Sequence, residues 1–346
     1  MRIRSVLRLA AAAALAAGTL APAFAQQVVL KVHHFLPGTS NVHLNLIQPW
    51  CAKINKESGD RLKCQIYPAM QLGGTPAQLF DQARDGVADI VWTIPTYSAG
   101  RFPKSEVFEL PFFTHSGKGS SQAYWHFVQK HALDEYAGVK PLWLHTNDGS
   151  AFHLTSAKGV KTLEDLAGLK IRAATRLNSR MLAALGATPV QMPLPAVPEA
   201  MAKGVIDGAM VPWEGVPAAK LQEIAHSHLD VAPGEPKFAN SIFAFVMNKA
   251  KYDSLPADLK KVIDANSGAE VSGWAGNGFD VTVAPNHKLA TDRGNVVNVV
   301  PAAEMARWAK ATANIDDLWV KDASAKGANG AAMLEDARAL IKQYDR

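Results

Sequence analysis

The stretch "KTLEDLAGLKIRAATRLNSRMLAALGATPVQMP", residues 161–193, decides the fold. Thr162-Leu163-Glu164-Asp165 has the form of a capped start to a short helix. Leu169 to Ala173 reads as a strand, and Leu177 to Leu185 as a helix stopped by Gly186 in the C-cap position. Thr188 to Met192 is the next strand. Strand and helix alternating at this spacing argue for an α/β fold with a largely parallel sheet. The same stretch poses an electrostatic problem. Arg172 stands at the end of what should be an inner strand, and Arg176 follows within one helical turn. A buried guanidinium is costly unless an anion meets it, either from the protein or from a ligand.

Outward from this unit the alternation continues. Val28 to His33 reads as a strand and Val42 to Lys56 as a helix with Leu44, Ile47, Cys51 and Ile54 on one face. Arg61 to Tyr67 is a second strand. Thr75-Pro76-Ala77-Gln78 is a capping box with proline at the first helical position, opening a helix that ends at Gly86. Asp89 to Thr93 is a third strand. Gly86-Val87-Ala88-Asp89 recurs 118 residues later as Gly204-Val205-Ile206-Asp207, each ahead of a strand. Three identical positions out of four are thin evidence of duplication but point to two lobes of similar build. Ser241 to Asn248 is β-like, 257 to about 291 is a run of helices, and 302–344 is helical and rich in alanine. About 320 residues beyond the first 25 exceed a usual single core, so two domains are expected.

The first 25 residues read as a cleaved secretory signal. Arg2, Arg4 and Arg8 precede an apolar run from Leu9 to about Leu20, and Ala23-Phe24-Ala25 has the small-x-small form of a cleavage site. The run is too short for a spanning helix. An exported chain in a bacterial periplasm is the expectation. The chain carries 36 basic and 31 acidic residues; setting aside the three arginines leaves 33 against 31, a formal net charge of +2. With no run of five basic residues, that balance gives no support to nucleic-acid binding. Cys51 and Cys64, 13 apart, are expected on a helix and the following strand. Export permits a disulfide between them, or they remain two free thiols.

No GxSxG, HExxH or GxxxxGK[ST] pattern is present, so no enzyme or cofactor site is indicated. His33-His34 and His226-x-His228 are poor metal spacings, and no metal is expected. Ligands of open α/β sheets bind beyond the carboxyl ends of the strands. Here those ends carry Phe35, Trp92 with Thr93, Phe152 with His153, Arg172, and Trp213 with Glu214. Arg172 has two readings, an internal ion pair such as with Glu214 or the anchor of a bound carboxylate, gripped by its planar fork.

The chain resembles the solute-binding receptors of tripartite ATP-independent periplasmic (TRAP) transporters, of the dicarboxylate-receptor type. The resemblance rests on "YPAMQLGG" (67–74), "DGVADIVW" (85–92), "FELPFF" (108–113), "LEDLAGLKIRA" (163–173), "LGATPVQMP" (185–193), "GVIDGAMVPWE" (204–214) and "VMNKAKYDSLPADLKKVI" (246–263). It implies a periplasmic-binding-protein-like fold, with two α/β lobes, a ligand cleft between them and a long helix bracing both. The expected division is 26–150 plus about 237–276 for lobe I, and 151–236 plus about 277–346 for lobe II. It also implies that Arg172 binds a substrate carboxylate and that a membrane permease receives the ligand. The chain itself would be a monomer with no nucleotide, cofactor or metal. Two departures from the family pattern narrow the ligand. His153 stands where many members have a second arginine, and Ala209-Met210-Val211-Pro212 stands where many have Gln-Glu-Asn-Pro. Val211 thus replaces the asparagine of sialic-acid members. An aromatic acid, or an apolar 2-oxo or hydroxy acid, fits better. The expected walls are Phe35, Trp92, Phe152 and Trp213, and the expected polar contacts are Thr93, His153 and Arg176. A ligand-sensing subunit and an exported enzyme are the alternatives.

Overall fold

The computed structural model describes residues 27–345; the signal segment expected over 1–25 lies outside the described residues. Eleven strands among these residues form two sheets. In chain order they are β1 (Val28–His34), β2 (Leu62–Tyr67), β3 (Ile90–Thr93), β4 (Val139–Thr146), β5 (Ser150–Leu154), β6 (Lys170–Ala173), β7 (Thr188–Gln191), β8 (Gly208–Pro212), β9 (Ser227–Asp230), β10 (Ile242–Asn248) and β11 (Val296–Val299). One sheet has the order β2-β1-β3-β10-β4, the other β11-β9-β5-β8-β6-β7. Each sheet is the centre of one α/β lobe.

The sheets depart from the largely parallel arrangement expected. Strand β10 runs antiparallel to both β3 and β4, and β5 runs antiparallel to both β8 and β9. All other pairings are parallel. The exceptions share one cause: β5 and β10 are the strands the chain enters directly after passing from one sheet to the other, through 147–149 and 231–241. The parallel strands deliver the chain to the cleft at their carboxyl ends. A strand begun there has to run away from the cleft. Both sit inside their sheets, and every residue of each is buried, as expected for strands covered on both faces.

The recurring tetrapeptide has the same job in each lobe. Gly86 and Gly204 take positive φ (79° and 68°) to end a helical turn. Asp89 then accepts a hydrogen bond from the Lys31 backbone N–H through Oδ2 at 2.8 Å, and Asp207 does the same for Lys170 at 2.8 Å. Each aspartate fixes the neighbouring strand's register. Cys51 and Cys64 are joined by a disulfide (Cα–Cα 5.8 Å), tying helix α1 (Gln48–Glu57) to edge strand β2.

Helix α2 (Gly117–Phe127) of the five-stranded lobe crosses helix α3 (Ala269–Asp280) so closely that a Cβ on Gly276 would fall 2.0 Å from the Gly117 carbonyl oxygen. Helix α4 (Val283–Thr291) continues α3 after a break at Val281–Thr282 and packs on β11 of the other lobe. The bracing helix is therefore interrupted. At the break the Thr282 hydroxyl donates to the Phe279 carbonyl at 2.7 Å, competing with the helical ladder. The last helix, α5 (Gly330–Tyr344), returns to pack on α2, and Asp345 accepts from the His115 N–H (2.7 Å) and the Ser116 N–H (2.9 Å).

Candidate functional site

A narrow cavity lies between the two sheets. From the five-stranded lobe it is lined by Phe35 and Leu36 after β1, Trp92 of β3, Ile94, Tyr97, and Ser241 and Phe243 at the start of β10. From the six-stranded lobe come Ser150 at the start of β5, Arg172 and Ala174 of β6 and its exit, Leu194, and Val211, Pro212, Glu214 and Gly215 from the end of β8. Carboxyl ends of ordinary strands and amino ends of the two reversed ones thus meet at the same place.

One wall is an aromatic stack. Phe35 lies on Trp92 (centroids 5.1 Å, 30° between planes), Trp92 on Phe243 (5.1 Å, 17°) and Phe243 on His145 (4.7 Å, 9°). The Trp92 indole N–H donates to His145 Nε2 at 2.9 Å, which fixes the plane of the stack. Burial holds His145 down to about 3, so its ring is neutral and can accept that proton. A flat ring can add to such a stack in offset or edge-on geometry.

The opposite wall carries one buried cation. Arg172 is 2 % exposed. Its Nε donates to the Met192 carbonyl (2.9 Å), Nη1 to the Met210 carbonyl (2.8 Å) and Nη2 to the Tyr97 hydroxyl (3.5 Å). Three of the five guanidinium N–H groups are so used, which leaves one on each terminal nitrogen. No carboxylate among the described residues lies within ion-pair distance of it, whereas Arg176, four residues on, has two such partners. Burial pulls the Arg172 pKa down, and only Tyr97 opposes it. The internal pair with Glu214 does not form. Tyr97 also accepts from the Leu194 N–H at 3.2 Å, so one tyrosine from the first lobe holds two groups of the second.

The expected site residues divide sharply. Arg172, Trp92 and Phe35 are brought together in the cavity. Thr93 follows Trp92 and points to the other face of β3, its hydroxyl 3.5 Å from the Pro76 carbonyl. Phe152 packs in the core against Phe238 and Trp308. His153 is fully buried away from the cavity, with Nδ1 2.7 Å from His228 Nδ1 and Nε2 3.0 Å from the Val211 carbonyl. Burial lowers it to about 4. Trp213 turns its indole to Asp230 Oδ2 (2.7 Å) and packs on His287. Arg176 pairs with Glu106 and Asp322 outside the cavity. Tyr97, Phe243, Ser150, Ser241 and Glu214 are among the lining residues not expected as contacts. The signal for three of them was the chain reversal: β5 and β10 present their first residues to the cleft, which puts Ser150 there instead of Phe152 and His153.

Among the described residues no group of three acidic, histidine or cysteine side chains could hold a metal ion, and no helix is long and apolar enough to cross a membrane.

The DctP family model, described as bacterial extracellular solute-binding protein, family 7, matches residues 32–319. A TRAP solute-binding protein from Rhodoferax ferrireducens T118, solved with copurified benzoate, is 45 % identical with a TM-score of 0.90, covering 92 % of this chain and 98 % of its own. A marine-metagenome TRAP solute-binding protein specific for aromatic acids, solved with 3-hydroxybenzoate, is 42 % identical with a TM-score of 0.90, covering 93 % and 100 %. A third, from Bordetella bronchiseptica with (R)- and (S)-mandelate, is 29 % identical with a TM-score of 0.84, covering 92 % and 100 %.

Proposed function

The chain belongs to the DctP family of bacterial extracellular solute-binding proteins, and from that premise we propose that it captures an aromatic monocarboxylate in the periplasm and delivers it to the permease of a TRAP transporter. One observation carries the reading: a fully buried arginine with no carboxylate partner faces a wall of stacked aromatic rings. The ligand carboxylate supplies the missing anion, and its ring extends the stack. The aromatic acids held by the two relatives above 40 % identity support this ligand class. The chain acts as a monomeric receptor without catalysis of its own, after removal of residues 1–25.

Lobe I comprises 26–150 plus about 237–276 and lobe II 151–236 plus about 277–346, with the last helix strapped back over lobe I. Capture follows from the placement of the walls. Arg172 belongs to one lobe, and Phe35, Trp92 and Phe243 to the other, so the acid touches all four only when the lobes are closed. It therefore shifts the population toward the closed form by its differential affinity. Thermal unfolding with a panel of organic acids tests the reading. Benzoate and its relatives raise the melting temperature by mass action, and C4-dicarboxylates raise it less. A response to sugars or amines with none to any aromatic carboxylate would discard the ligand class.

A further inference from the structure

Glu214 shares the cavity with Arg172 without pairing to it. The side chain is 4 % exposed, and its Oε1 is buried with no hydrogen-bond partner among the described residues. A buried polar atom left this way is costly and calls for an explanation. Tyr97 of the lining is already engaged with Arg172 and Leu194, and the two N–H groups left on Arg172 are the ones that suit the ligand carboxylate. Burial pushes Glu214 up to about 7, against the opposing pull of the Asn41 side chain and the Val42 N–H. The ligand carboxylate belongs to Arg172, and an ionised Glu214 would repel it. Glu214 therefore faces a different part of the ligand.

We propose that Glu214 reads a hydroxyl group on the ligand, so that the preferred substrates are hydroxylated aromatic monocarboxylates. The inference rests on the cavity being an aromatic-carboxylate site. A hydroxyl suits Glu214 in either protonation state: it donates to the carboxylate oxygen, or it both donates to and accepts from the neutral acid. A bare ring edge leaves Oε1 unsatisfied inside the closed cavity. A site built to hydrogen-bond a hydroxyl discriminates against the analogue lacking it far more strongly than an apolar slot does.

Titration calorimetry of the signal-free protein with benzoate, mandelate and the 2-, 3- and 4-hydroxybenzoates tests it. At least one hydroxylated acid should bind on the order of tenfold or more tighter than benzoate. In Glu214→Leu that ratio should collapse toward unity, and Glu214→Gln, which keeps a polar head, should retain part of it. Wild-type protein that binds benzoate as tightly as every hydroxylated acid overturns this proposal alone. A preference that survives unchanged in Glu214→Leu does the same. Wild-type protein that binds none of these acids overturns the aromatic-carboxylate reading, and this proposal with it.

Discussion

Arg172 and Arg176 stand four residues apart on one strand-to-helix turn, and their surroundings are opposite. Arg176 is ion-paired to Glu106, which is 1 % exposed, and to Asp322. Burial alone would lower its pKa, but those two partners raise it. Arg172 is buried more deeply, and only backbone carbonyls and a tyrosine hydroxyl meet it. Carbonyl dipoles orient a guanidinium without neutralising it. A charge the protein answers in full is part of the scaffold, and a charge it answers only in part is held ready for a ligand.

The largest expected effect breaks the comparison at Arg172. Arg172→Ala should weaken benzoate binding by about thirtyfold to several thousandfold, the range of about 2–5 kcal/mol for losing one side of a buried hydrogen-bonded charge pair. Arg172→Lys should recover little, because an ammonium lacks the fork. Calorimetry that finds Arg172→Ala binding as tightly as wild type would refute the carboxylate anchor. Arg176→Ala should instead act on stability. It strands the Glu106 carboxylate and should cost about 2–3 kcal/mol in urea unfolding, less than a fully enclosed pair because Arg176 is partly exposed. The ranking of ligands should not change; a reordered ranking would make Arg176 a ligand contact after all.

A smaller effect separates the aromatic residues. Phe35→Leu keeps an apolar side chain but removes a ring from the stack, and should weaken benzoate binding by about 0.5–1.5 kcal/mol. Trp213→Phe, outside the cavity, should lower the melting temperature with affinity nearly unchanged. Equal losses of affinity from both would erase the distinction between wall and core. The effect that is smallest at neutral pH concerns a base held neutral in the lobe that holds Arg172 charged. Folded His153 titrates near 4, below the ordinary 6.5, so between those values the unfolded chain takes up a proton that the native protein refuses. Its contribution leaves stability unaffected above pH 6.5 and lowers it as pH falls toward 4. The melting temperature of His153→Gln should fall less steeply over that window, and an unchanged slope would exclude this histidine as a source.

Periodicity and capping made most of the elements legible, and the repeated Gly-x-x-Asp made the two lobes legible, because these are local signals. Arg172 was legible for a related reason: a permanent charge at an inner strand end conflicts with its surroundings. Strand direction was not. Whether "SAFHLTS" runs toward or away from the cleft depends on where the chain came from, and that single bit decides between Ser150 and His153. Alternation hid the rest. Trp92 and Thr93 are adjacent in sequence but on opposite faces, as are Trp213 and Glu214 on the turn after β8, and only the pairing of neighbouring strands fixes which face is inward.

The reversed strand β10 has a consequence for synthesis. It fills the slot between β3 and β4, but its residues, 242–248, follow β4 by nearly a hundred positions and come after most of the second sheet. The N-terminal half therefore leaves the ribosome with its sheet open in the middle, and it has no local route to closing it. Contacts this distant in sequence slow folding, so the first lobe has to wait for β10 before it closes. In pulse-labelled hydrogen exchange the amides of β3 and β4 should gain protection together with those of β10; protection of β3 and β4 well before β10 would mean the lobe can close without it.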